Sequence, residues 1–65
     1  MEIGKKILRY RAKHRISQRE FANLCGLSVM TVNYIENGLQ DPSKITLEKI
    51  KIVLEEDDEA VDQQD

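Results

Sequence analysis

The sequence predicts an all-α fold, a compact bundle of four helices. Three observations lead there. Apolar residues recur at steps of three and four along separate stretches of the chain. Serines stand at the heads of three of these stretches, and glycines close two of them. No stretch alternates apolar and polar residues as a strand would, and there is no internal repeat.

The first helix is expected from Glu2 to about Lys13, with Ile3, Ile7 and Tyr10 as its apolar stripe. Lys5, Lys6, Arg9 and Lys13 fall mostly off that stripe, and His14-Arg15 reads as a connector with Ile16 turned inward. Ser17-Gln18-Arg19-Glu20 is a capping box. The Ser17 hydroxyl accepts from the amide of Glu20, and the Glu20 carboxylate accepts from the amide of Ser17. A second helix therefore starts at Gln18, buries Phe21, Ala22 and Cys25, and ends at Gly26, which tolerates the left-handed conformation of a helix terminus.

Ser28 caps a third helix whose inward residues are Val32 and Ile35, with Thr31 flanking them, and Asn37-Gly38 stops it. Leu39 to Pro42 is a loop, and Ser43 caps a fourth helix to about Glu56. Leu47, Ile50 and Leu54 form its core stripe. Ile45 and Ile52, seven residues apart, lie roughly opposite that stripe. A lone small domain has no use for two apolar faces on one helix, so Ile45 and Ile52 are assigned to a dimer interface. The domain is expected to occupy residues 1–56, followed by an acidic, disordered tail over 57–65 that is too poor in large apolar residues to order itself.

The chain of 65 residues holds one small core, of modest stability. Its single cysteine, Cys25, excludes an intrachain disulfide and a cysteine-rich metal site. No apolar run approaches the ~20 residues of a membrane span, and no signal peptide opens the chain. A soluble cytoplasmic protein is expected, with no cofactor. The net charge of −2 conceals an asymmetry. Met1 to Leu54 carries ten Lys and Arg against five acids, a balance of +5, whereas Glu55 to Asp65 carries seven acids and no base. The body is thus basic and suited to a polyanion.

Two short helices joined by a tight glycine turn are the scaffold of a helix-turn-helix, here Gln18 to Asn37. Ala22 allows the two helices to approach closely. With Val32 and Ile35 turned inward, Val29, Met30, Asn33 and Tyr34 remain on the outer face of the third helix, the face that enters the major groove in this motif.

These residues resemble a known family. Gln18-Arg19-Glu20-Phe21-Ala22, Gly26-Leu27-Ser28, Val32, Ile35-Glu36-Asn37-Gly38 and Pro42 match, in register, the lambda-repressor/Cro-like (Xre-type) helix-turn-helix family. The resemblance begins at Ile3-Gly4 and Arg11 and runs to about Leu54. It implies a lambda-repressor-like bundle that binds double-stranded DNA as a homodimer. By position it implies phosphate contacts from Gln18, Ser28 and Asn37, and base reading by Val29, Met30, Asn33 and Tyr34. It also implies a pair between Arg11 and Glu36; beside the structural role of that pair, Arg11 is itself expected near phosphate.

Three departures stand out. The family's fifth helix is missing or replaced by the acidic tail. Leu39 and Asp41 occupy loop positions that are often basic or polar, with Lys44 as a compensating phosphate contact. Val29 and Met30 are apolar and suited to thymine methyl groups, which leaves Asn33 and Tyr34 more of the specificity.

Other readings of the same residues are plainer. Val29 and Met30 could form a protein-binding patch, Tyr34 could pack on the first helix, and the basic residues of the first helix could be a solvated face. Cys25 reads as a small core residue and His14 as a solvated loop residue, and the acidic tail as either a solubilising extension or a competitor of DNA for the basic face. The functional expectation is a sequence-specific transcriptional regulator, a repressor on a pseudo-palindromic operator. The alternative is an antitoxin or another interaction module with a protein partner as well as DNA. An enzyme is disfavoured, since no nucleophile-base pair, phosphate-cradling glycine loop or metal cluster is apparent.

Overall fold

The computed structural model describes the backbone of residues 2–62 and the side chains of residues 2–56. Four helices make up this part of the chain: α1 (Glu2–His14), α2 (Gln18–Cys25), α3 (Val29–Glu36) and α4 (Lys44–Asp62). α3 packs on α1 and α2, and α4 packs on the same two helices. α1 and α2 are thus shared supports, with α3 and α4 each laid against them.

The helix starts follow the serine signals. At α2 the capping box forms as expected: the Glu20 amide donates to Ser17 Oγ at 3.0 Å, and the Ser17 amide donates to Glu20 Oε1 at 2.9 Å. Ser28 Oγ accepts from the Thr31 amide at 3.2 Å, and Ser43 Oγ accepts from the Thr46 amide at 3.2 Å.

The ends of α1, α2 and α3 share one device. Gly26 sits at φ 72°, and the Leu27 amide donates back to the Ala22 carbonyl at 2.8 Å. Gly38 sits at φ 71°, and the Leu39 amide donates to the Tyr34 carbonyl at 2.9 Å. Each is a six-to-one Schellman closure that satisfies carbonyls a helix end would otherwise leave unpaired. At the end of α1 the same closure runs from the Ile16 amide to the Arg11 carbonyl at 3.1 Å, but the left-handed residue is Arg15, at φ 55°. An arginine gives no turn signal in the sequence, so this closure was legible only as a short connector.

The core consists of Ile3, Ile7, Phe21, Ala22, Cys25, Val32, Ile35, Ile50 and Val53. Tyr10, Ile16, Leu27, Leu47 and Leu54 pack around it. The predicted inward faces of α1, α2 and α3 are therefore those observed. On α4 the stripe is shifted: Val53 joins Ile50 inside, while Leu47 and Leu54 are half-buried. Ile45 and Ile52 are exposed, at 71% and 56%, on the face the core does not use.

Two boundaries differ from expectation. α1 includes His14, whose ring lies 4.2 Å from that of Tyr10, so His14 is a helical residue rather than a loop residue. α4 does not stop near Glu56 but continues to Asp62, so residues 57–62 are helix where a disordered tail was expected. The sequence from Glu55 contains no glycine or proline to end the helix. The remaining part of that expected tail, 63–65, lies outside the described residues.

Candidate nucleic-acid interface

α3 is held against α1 at unusually short range. A Cβ placed on Gly4 would stand 2.6 Å from the Ile35 carbonyl oxygen and 3.3 Å from Glu36 Cα. Only a glycine lets the backbone of α3 come this near. A glycine inside an otherwise helical pattern is a sequence signal of close backbone approach.

Glu36, the last residue of α3, is gripped by both supporting helices. Arg11 Nη1 of α1 donates to Glu36 Oε1 at 2.7 Å and to Oε2 at 2.8 Å. The Arg11 Nε donates to the Ile16 carbonyl at 3.3 Å. From α2, Gln18 Nε2 donates to Glu36 Oε1 at 2.9 Å. The Glu36 side chain is 4% exposed and that of Arg11 22%. The expected Arg11–Glu36 pair is present, and it ties three helices together. A charge this confined needs all of these donors, because an uncompensated carboxylate in such surroundings is costly.

The hydrogen bonds continue outward through a row of amides. Gln18 Oε1 accepts from Asn33 Nδ2 at 3.2 Å. Asn37 Nδ2 donates to the Asn33 carbonyl at 2.8 Å and to Asn33 Oδ1 at 3.3 Å. The row Glu36–Gln18–Asn33–Asn37 thus runs from a confined charge to an exposed amide. Each primary amide carries two N–H donors and an acceptor oxygen, so Gln18 and Asn33 keep bonding capacity while their orientations are set. Sequence reasoning picked out these three amides separately and missed that they form one row, because the bonds that tie Gln18 to Asn33 and to Glu36 join residues 15 and 18 positions apart in the chain.

Around this row lie the remaining candidate positions. Met30 is 59% exposed and Tyr34 37%, whereas Val29 and Asn33 are half-buried. Ser28 is exposed, and its hydroxyl is engaged with the amide and the hydroxyl of Thr31. Lys44 is exposed at the first position of α4. The structure brings together Arg11, Gln18, Asn33 and Asn37. Met30 and Tyr34 stand beside them on the same helix, outside the hydrogen-bonded row. Ile45 and Ile52 belong to α4 and take no part in it.

Cys25 is enclosed, and burial pushes its thiol from the ordinary value of 9.0 up to about 11. It is a core residue with no nucleophilic character at neutral pH. Among the described residues no group of His, Cys, Asp and Glu could hold a metal ion, and no helix is long and apolar enough to cross a membrane.

Comparison with known proteins agrees with the geometry. The model of a helix-turn-helix family matches residues 7–57. The match takes in most of α1, all of α2 and α3, and the greater part of α4. Compared with curated proteins and with solved structures, the chain has no match.

Proposed function

Because the chain belongs to the lambda-repressor/Cro-like (Xre-type) helix-turn-helix family and is a DNA-binding regulator, we propose that it acts as a repressor, bound as a homodimer to a pseudo-palindromic operator. The observation that carries this reading is the amide row beside an exposed α3 tip. Gln18 and Asn37 are oriented before DNA arrives, so little side-chain freedom is lost on binding. The second N–H of Gln18, with Ser28 and Lys44, would take phosphate oxygens and set the register, and Asn37 would join them by turning one of its N–H groups from Asn33 to a phosphate. Met30 and Val29 would meet thymine methyl groups, and Tyr34 would lie against a neighbouring base edge or sugar. Asn33 bonds to both Gln18 and Asn37, so its first task is to hold the other two in place, and base contact is its second.

Two copies would place their α3 helices about 34 Å apart, one turn of DNA. Ile45 and Ile52 supply an apolar seam for pairing. Repression by occupancy needs nothing more than this domain. The same exposed isoleucines would equally suit a different protein, as in an antitoxin, and a heteromeric complex isolated from the native host would favour that role.

The test is selection of bound sequences from a random duplex pool, followed by fluorescence anisotropy on the selected and scrambled duplexes. The expected result is a two-fold-related consensus and, for about six neutralised phosphates, a log–log salt slope near −5. Equal affinity for selected and scrambled duplexes at moderate salt would refute it. Met30→Ala should relax the preference at one position of each half-site, whereas Lys44→Ala should weaken all duplexes alike and reduce the slope by about 1.

A further inference from the structure

α1, α2 and α3 end in the same closure, and one of the three is made without glycine. Gly26 and Gly38 take the left-handed backbone at φ 72° and 71°, whereas Arg15 takes it at φ 55°. The closure asks for that conformation and for no side chain, and a residue with a Cβ holds it at a cost. The turn is fixed from both sides. The Ile16 amide donates to the Arg11 carbonyl at 3.1 Å, and Arg11 Nε donates to the Ile16 carbonyl at 3.3 Å.

Nothing in the described part of the molecule uses the Arg15 side chain. It is exposed, and its guanidinium makes no hydrogen bond or ion pair among the described residues. Strained backbone of this kind persists where the surroundings over-determine it, and it gathers at ligand clamps. A contact that offsets the strain therefore lies outside the chain.

The surroundings of Arg15 indicate its chemistry. Residues 3–19 carry seven Lys and Arg and no acid, so this edge attracts an anion. Arg15 lines a shallow depression with Arg11, Leu8, Ala12 and Ile16. The three apolar residues give the arginine stem a surface to lie on while the guanidinium reaches outward. Arg11 is engaged with Glu36, which also accepts from Gln18. Gln18 opens α2 three positions after Arg15, within about 11 Å of extended chain. Arg15 thus stands where the α1–α2 turn meets the amide row. The larger basic groove between α1 and α4, lined by Lys6, Arg9, Lys13 and Lys51, has Glu55 on its own wall and no residue of α2 or α3, so it lies apart from this edge.

We propose that Arg15 is a phosphate clamp at the edge of the DNA interface, taking the backbone phosphate next to the one that Gln18 takes. The proposal rests on the DNA-binding reading of Gln18 and α3, and it adds a residue to which the family resemblance assigns no contact. A guanidinium presents a planar fork that matches two phosphate oxygens. The contact is to the backbone, so it adds affinity and fixes register without reading sequence. The strain in the free protein and the contact in the complex belong to one side chain, and glycine removes both at once.

The experiment compares the parent chain with Arg15→Gly by fluorescence anisotropy over a salt series. The duplexes are the selected one, a scrambled one, and copies of the selected one with single phosphates replaced by neutral methylphosphonates. Arg15→Asn, which also tolerates the left-handed backbone, goes through the same measurements, and urea denaturation follows the stability of each chain. Arg15→Gly should bind selected and scrambled duplexes about tenfold more weakly at low salt, with their ratio unchanged and no loss of stability. Its log–log salt slope should fall by about 0.9 for each phosphate released. At one phosphate of each half-site, the methylphosphonate should weaken the parent and leave both variants unaffected.

A methylphosphonate profile shared by the parent and both variants would overturn the proposal, even with a uniform loss of affinity, because that is the mark of diffuse charge. So would a fall in stability of Arg15→Gly with affinity unchanged, which would give the side chain a structural task instead. A parent with no preference for its selected duplex would refute the DNA reading itself, and the proposal with it. A parent that keeps the preference, with the shared profile, removes Arg15 alone.

Discussion

Glu36, with its side chain only 4% exposed, depends on the donors around it. Arg11→Met would leave that carboxylate with Gln18 Nε2 as its one remaining side-chain donor among the described residues. The expected cost is about 3–5 kcal/mol, the range for breaking a buried pair from one side. Urea denaturation measures it, and the double variant Arg11→Met, Glu36→Leu should recover much of the loss if the stranded charge is the cause. Gly4 is constrained by space instead of charge. Gly4→Ala would drive a methyl toward the Ile35 carbonyl oxygen, where 2.6 Å is available. Although alanine favours helices, this variant should lose about 1–3 kcal/mol through overpacking, seen as a lower urea midpoint.

Cys25 offers a pH test at the same scale. Its folded-state pKa is raised from 9.0 to about 11, so its thiolate forms more readily in the unfolded chain. The stabilising contribution is complete below the unfolded value and is lost as pH rises from about 9 through 11. Cys25→Ala should therefore flatten the fall in stability over that window, although it lowers stability at neutral pH.

At the scale of elements, α1, α2 and α3 show how much is written in short signals. Ser17 and Ser28 define helix starts through bonds to residues three positions on, and Gly26 and Gly38 define ends through their left-handed backbone. All of this is local, so it was legible. Arg15 performs the same closure without the residue type that normally announces it, and it holds a conformation that costs a side-chain-bearing residue roughly 1 kcal/mol or more. Arg15→Gly should raise stability by about 1 kcal/mol, a shift of several degrees in the melting temperature of a domain this small. A decrease would mean that the Arg15 side chain makes a contribution greater than the strain. The extension of α4 to Asp62 was misread for a related reason: composition indicated poor burial, but the chain lacks a residue that would stop the helix.

At the scale of the molecule, the charge is divided. The basic body carries α3, the helix proposed to meet DNA, on one side and the Lys6–Arg9–Lys13 stripe in a separate groove, while the acids gather at the far end of α4. Ile45 and Ile52 face away from the core on that same helix. The change Ile45→Asp, Ile52→Asp should produce a folded monomer, because neither residue contributes to the core, with DNA binding weakened by the loss of the second half-site contact. Sedimentation velocity and anisotropy check the two parts, and an unchanged sedimentation profile would remove these residues from the interface.

By itself, the sequence determined the four helices, the inward faces of α1, α2 and α3, the turn at Gly26 and the candidate residues of α3. These depend on period, capping and backbone freedom, which act over a few neighbouring residues. What the tertiary structure decided was how those candidates work together. The join of Gln18 to Asn33, the seating of Glu36 between two helices, the close approach at Gly4 and the pairing of α1 with α4 into a basic groove all link residues distant in the chain. Such contacts exist only after the apolar faces have packed, because packing sets the distances at which hydrogen bonds and charges act.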